Sequence, residues 1–261
     1  MASKRQLAEK YVSELELPSL DLEGLEGAAP SPDYLSIAKD QAAVVGSEIT
    51  SFQKGVTPEQ RQDIINSTLL AQLVAKYKVP DATDIYKWYD QYFDVLSNVG
   101  WLIQDKQFAT YSEASEGFEA HQAIIAVATT LLGPNVAALA VVKSALDSLK
   151  SMSDNSPWMT LFNRESKAAK TARFQVTVAE QPQDGQFLVS LLAFGIEAHS
   201  DLTQVLFFKF QNNDAELKHL SGKTTIDSDV LSGVRDAIKQ KVVGFSTDFV
   251  RALPELKSPS V

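Results

Sequence analysis

The chain has 261 residues, 44% hydrophobic and 22% charged, a composition with ample material for a sizeable core and unlike that of a disordered chain. Its 24 basic and 33 acidic side chains give a net charge of -9. This repels phosphate backbones and anionic headgroups, so no nucleic acid is expected, and any membrane contact has to be hydrophobic, receptor-led or favoured by acid. Cysteine is absent, which removes disulfides, thiolate catalysis and cysteine-ligated metal centres.

Residues 1–30 read as an extended N-terminal arm. Ala2–Leu15 suits a short helix. Lys4 and Arg5 are followed by Glu9, Lys10 and Glu14 rather than by an apolar run. No secretory signal is therefore expected, and the protein is placed in the cytoplasm or on a signal-independent export route. From Glu14 to Gly27 leucine alternates with acid, while Pro18, Gly24 and Gly27 interrupt any long element. This segment is expected to dock its leucines on the body, or else to bind a protein partner.

Residues 31–150 read as a helical bundle. Ser31-Pro32-Asp33 opens a helix whose Leu35, Ala38, Ala42, Val45 and Ile49 recur at three- and four-residue spacing. Thr57, Pro58 and Gln60 form a capping-box start for a second helix, which carries Ile64, Leu69, Leu73 and Val74 and ends at Pro80. A third begins at Asp81–Asp84 and aligns Ile85, Tyr89, Tyr92, Phe93, Leu96 and Ile103. A fourth runs from Tyr111 into a stretch with no Asp, Glu, Lys or Arg from Ala120 to Val142. Gly133-Pro134 divides that stretch, glycine ending one helix and proline opening the next, so residues 123–142 form an apolar helical hairpin.

Residues 151–168 read as a linker. From 169 to 253 the period changes to two, predicting strands at Phe174–Val178, Phe187–Ile196, Val205–Phe210 and Glu216–Ser221. Turns are expected at Gln181–Gly185 and Asn212–Asp214. Asp227 caps a last helix with Leu231, Val234, Ile238, Val242, Phe245 and Phe249 on one face. Residues 254–261 form a tail. The expected fold class is α+β: an N-terminal multi-helix bundle with a central apolar hairpin, then a small antiparallel sheet of about four strands packed by the C-terminal helix.

No catalytic motif emerges. His121, His199 and His219 have no metal-ligand spacing, although His199 and His219 are expected to approach each other across the meander. Gly222-Lys223-Thr224 lacks the preceding glycine of a phosphate loop, and Asp227-Ser228-Asp229 is a helix cap rather than a calcium loop. Glu113, Glu116 and Glu119 fall at helical spacing and read as a solvated face, or at most as acid groups that neutralise at low pH. No cofactor or metal is expected, and enzymatic activity is not favoured.

Two features point to binding. Tyr86, Trp88 and Trp101 are read either as helix–helix packing or as surface aromatics, which stack on sugars or settle at a lipid interface. Tyr89, Tyr92 and Phe93 are expected in the core. In the hairpin, Ile124, Ile125, Leu131, Leu132, Val136, Leu139 and Val141 are the residues offered to a membrane. Each leg of about 10 residues is about 15 Å long, against about 30 Å of hydrocarbon, so a tight hairpin reaches half way.

Long helices around a central apolar hairpin, over residues 31–150, resemble the α-helical pore-forming toxins. That resemblance is architectural and implies a monomer that converts to an inserted oligomer. Three functions follow. The first is a membrane-active effector whose partner is a lipid membrane or membrane receptor. The second is a helical interaction module binding a protein partner or a second copy, its hairpin permanently buried. The third is a hydrolase with a site at the helix–sheet junction.

Overall fold

The computed structural model describes residues 2–19, 35–104, 106–111, 118–133, 137–181, 187–207, 209–210, 215–254 and 256. The acidic-leucine run beyond Ser19, both expected turns near residues 182–186 and 212–214, Glu113, Glu116, Val136 and most of the tail lie outside them.

Ser3 caps helix α1 (Lys4–Glu14) in a capping box with Gln6. The next element is not the expected helix. Gln41–Val45 (β1) and Glu48–Phe52 (β2) pair as an antiparallel hairpin across a two-residue turn. Gly46 occupies that turn at φ +56°, and a Cβ there would stand 2.4 Å from Gln72 Oε1. The helical spacing of Ala42, Val45 and Ile49 misleads because both faces of this ribbon are covered, so its apolar residues run on without alternation.

Thr57 and Gln60 cap α2 (Pro58–Lys78) as expected, and α3 (Ile85–Asn98) follows. Trp101–Leu102 (β3), Ala109–Thr110 (β4) and Phe118–Glu119 (β5) are short strands on either side of the expected start of the fourth helix. That helix, α4, starts only at Ala120 and ends at Leu132, with Gly133 at φ +104° as its C-cap. Its partner α5 spans Ala137–Lys150. The expected linker contains a helix, α6 (Pro157–Ser166), capped by Ser156.

Lys167–Ala168 (β6), Thr171–Glu180 (β7), Leu188–Ala198 (β8), Lys209–Phe210 (β9) and Ala215–Ile226 (β10) complete the middle of the chain. The predicted strand Val205–Phe210 shrinks to β9, which pairs with β5. Asp227 caps α7 (Ser228–Phe249), and Val250–Ala252 (β11) returns to β1.

Among the described residues there are seven helices and a nine-stranded mixed sheet, ordered β11-β1-β2-β7-β8-β10-β3, with β4 on β10 and β6 on β7. The small four-stranded antiparallel sheet is thus corrected. The pair β2–β7 is parallel, and the ribbon read as a helix supplies two of the strands. Alternating side chains split the core in two. Val45, Phe52, Ala179, Leu191 and Ala193 face α1, α2, α3 and α7. Val44, Ile49, Phe174, Val176, Leu192 and Phe194 face α4, α5 and α6. The sheet is therefore the middle of three layers, and the hairpin is an outer layer rather than the centre of a bundle.

Candidate functional site

The α4–α5 hairpin is built from residues with no charge between Ala120 and Val142. Ile124, Leu132, Leu139 and Val141 are buried, and Ile125 and Leu131 are half-buried. The hairpin thus presents its larger side chains to the sheet, against Phe174, Val176, Leu192 and Ile196. Thr129 and Thr130 donate to carbonyls of their own helix, at 2.7 Å to Ile125 and 3.1 Å to Ala126. Among the described residues, no side chain from Ala123 to Val142 hydrogen-bonds outside its own helix. Dispersion and the hydrophobic effect hold this segment down, and neither is directional.

Polar contacts gather at the open end of the hairpin. Lys150 Nζ reaches Glu119 Oε2 at 3.0 Å and stands 5.8 Å over the Phe207 ring. His121 Nδ1 lies 3.0 Å from the same carboxylate, an ion-pair distance without hydrogen-bond alignment. Burial pulls the His121 pKa down, as does Lys150, while Glu119 and Asp147 pull against them. The His121 backbone N–H donates to Leu206 O at 2.8 Å, and Glu119 just before it pairs with Lys209 in the β5–β9 ladder, so the backbone ties this end to the body.

The opposite face is fastened quite differently. Glu48 is wholly buried, and its carboxylate accepts from Tyr92 at 3.2 Å, Thr50 at 3.3 Å and Gln72 at 3.4 Å. Burial pushes its pKa up to about 7, with the hydroxyls of Thr177, Thr68, Tyr92 and Thr50 opposing. Gln72 also donates to Val45 O and accepts from Ser47, which in turn donates to Gln175 at 3.0 Å. Tyr89 donates to the carbonyls of Phe174 and Phe194, on neighbouring central strands, and accepts from Gln175. Arg61, buried, donates to the carbonyls of Val56, Lys39 and Gln53 and to Gln41, which fixes α2 on the first hairpin. Asp63 takes a bidentate pair from Arg235 at 2.7 Å, joining α2 to α7.

The aromatic residues read as surface candidates belong to this locked face. Trp88 is 2% exposed, stacked on Tyr92 at 5.3 Å with the Arg173 guanidinium 4.5 Å over its ring. Trp101 is 1% exposed and donates to Ser67 at 3.1 Å. Tyr86 is partly buried against Phe108, with Lys218 5.3 Å over its ring. Helix α3 buries a broad arc of its circumference, so the aromatics assigned to a second face still meet the sheet or α2.

The histidines do not converge. His219 pairs in register with Phe194, whereas Ala198, the residue before His199, pairs with Ala215, so the two imidazoles sit about five residues apart along the strands, roughly 16 Å. The described residues hold no cluster of three or more His, Asp and Glu suited to a metal. No described helix is long and apolar enough to cross a membrane. Sequence reasoning missed Glu48, Gln72, Arg61 and the Glu119–His121–Lys150 group. A glutamate between Val45 and Ile49 is the available signal, and the helical reading of that segment hides it.

No family model matches the chain, and no curated protein does. Two solved structures are similar in backbone. One is the structure of the Evf virulence factor, 14% identical, covering 97% of this chain and 91% of that one, at a TM-score of 0.41. The other is a delta-endotoxin, 14% identical, covering 80% of this chain and 90% of that one, also at a TM-score of 0.41. Likeness at this level assigns the chain neither a family nor a function.

Proposed function

We propose that this protein is a membrane-active effector, toxin-like in its action, whose α4–α5 hairpin leaves the sheet and engages lipid. The observation that carries the reading is the contrast in attachment. A two-helix layer, uncharged from Ala120 to Val142, rests that stretch on the sheet by apolar side chains and keeps its polar ties at the Glu119–Lys150 end, while the other face is tied by buried hydrogen bonds. Lifting the hairpin in water exposes side chains such as Ile124, Leu139 and Leu146, each at a cost of about 1.5–3 kcal/mol. The closed form therefore dominates in solution. A bilayer surface offers those side chains another apolar environment and offsets that cost. Helix α4 has 13 residues, about 20 Å, so the hairpin enters shallowly rather than spanning about 30 Å of hydrocarbon.

Acid favours the release. His121 at the hairpin base has a lowered pKa, so its folded form prefers the neutral ring. The stability this contributes is complete above the ordinary histidine pKa and is lost as pH falls through the lowered value. Acid also neutralises carboxylates and weakens repulsion from anionic lipid. Dye release from liposomes at pH 7.4 and about pH 5, with Leu132→Asp as a folded control, tests the proposal. Release by the native chain, greater at pH 5 and absent in the variant, supports it. Absence of release at both pH values, from neutral and anionic liposomes alike, contradicts it.

The burial of Ile124, Leu132, Leu139 and Val141 favours a second reading, a soluble interaction module with the hairpin fixed in place. Hydrogen exchange equally slow in α4–α5 and in α2–α3, with and without liposomes, is the result that reading requires.

A further inference from the structure

Between α4 and the β4–β10 edge lies a cleft of about 210 Å³, lined among others by Thr110, Tyr111, Ala126, Thr130, His219 and Ser221. At about 30 Å³ per water it holds roughly seven waters, the space of one small ring. No charged side chain is among the described residues that line it. Thr110 donates to Glu216 at 3.1 Å, and Lys218 pairs with the same carboxylate at 3.5 Å. Thr130 spends its hydroxyl proton on Ala126 O, so its lone pairs remain as acceptors.

His219 supplies the directional group. Its Nδ1 is buried without a hydrogen-bond partner, and its ring centroid lies 6.1 Å from that of Tyr111 and 6.4 Å from that of Phe194. An unmet acceptor is better tolerated in a protein interior than an unmet N–H. The proton therefore belongs on Nε2, which makes that nitrogen the ring's donor. Burial lowers the His219 pKa, which keeps the ring neutral at pH 7.

We infer that this cleft binds a neutral, hydroxyl-bearing ring the size of a single hexose. The Nε2–H of His219 donates to a ligand oxygen, Thr130 accepts from a ligand hydroxyl, and Ser221 does either. Ala126 and the flank of the Tyr111 ring meet the ring's C–H face. Among the described residues that line the cleft a charged ligand finds no counter-ion, and it would be desolvated there without compensation. The site does not depend on the membrane reading, since it is complete with the hairpin docked.

Saturation-transfer NMR on the full chain tests the site with methyl α-glucoside, galactoside and mannoside, and with glucose 6-phosphate as a charged comparison. Binding of at least one glycoside is expected, weakened at least fivefold in Thr130→Val and abolished in Ala126→Phe, which fills the cleft. Far-UV circular dichroism verifies that both variants fold. Thr130 sits at an exposed position, so Thr130→Val remains a sufficient test should Ala126→Phe unfold. Cosedimentation with liposomes bearing a monohexosyl lipid separates the sources of the sugar. Capture lost in Ala126→Phe assigns the hexose to a headgroup, and glycoside binding without capture assigns it to a free sugar. No binding of any glycoside, binding undiminished in a folded Ala126→Phe or Thr130→Val, or tighter binding of the phosphate overturns the inference.

Discussion

The two faces of the sheet are fastened by different physics. On one, Glu48, Gln72, Gln175, Tyr89, Arg61 and Asp63 make directional bonds whose loss strands buried polar groups. On the other, the α4–α5 hairpin contributes apolar contact and keeps its polar ties at the Glu119–Lys150 end. Buried hydrogen bonds fix a unique geometry, because no lipid and no other protein surface reproduces them. Apolar contact is transferable to any apolar surroundings. A segment meant to stay is well served by the first, and a segment meant to move by the second.

The largest test of this contrast is a cavity under the hairpin. Leu139→Ala is expected to cost about 2–5 kcal/mol in urea unfolding. Hydrogen exchange should accelerate first in α4 and α5 while α2 and α3 stay protected. Equal acceleration in both layers would show that the faces open together.

Next in size is a pH test of the locked face. The Glu48 pKa is raised from 4.5 to about 7, so the folded state favours the protonated carboxyl. Its contribution to stability is complete below pH 4.5 and is lost as pH rises through 7, on the order of 3 kcal/mol in all. Glu48→Gln should therefore be more stable than the native chain at pH 8 and little changed at pH 4.5, as read by urea unfolding at both values. Acid thus tightens this face while the lowered His121 pKa loosens the other. A variant with the same loss at pH 8 as at pH 4.5 would show that Glu48 does not carry this pH dependence.

Tyr89→Phe comes third, at about 1–3 kcal/mol, because the carbonyls of Phe174 and Phe194 and the Gln175 amide lose their shared partner. The smallest effect is Lys150→Met. Its side chain is half exposed, so the pair with Glu119 is worth at most about 1 kcal/mol. Thermal unfolding at low and high salt measures both, with the Lys150 effect fading in salt and the Tyr89 effect persisting.

What could be read in the sequence follows the same division. The capping box at Thr57 and Gln60, the Asp227 cap and the Gly133 break are local signals, and each element stands where they put it. Residues 41–52 are illegible because Ala42, Val45 and Ile49 satisfy a helical period while Ala42, Val44 and Ile49 satisfy a strand covered on both faces. That one misreading removes two strands and the parallel β2–β7 pairing, and with them the sheet as the organising layer. Trp88 and Trp101 mislead because a tryptophan's deciding partners, here Arg173 for Trp88 and Ser67 for Trp101, come from other parts of the chain. The uncharged hairpin is legible in composition alone, while its place on the outside of the sheet is not.

The most direct test of the central claim uses the absence of cysteine. A single Ala137→Cys, at the exposed start of α5, and a single Val243→Cys, at a position 61% exposed on α7, each carry one environment-sensitive fluorophore. With anionic liposomes at pH 5, a hairpin that enters lipid gives a blue shift at position 137 and none at position 243. Equal shifts at the two positions, or no shift at 137, would contradict it.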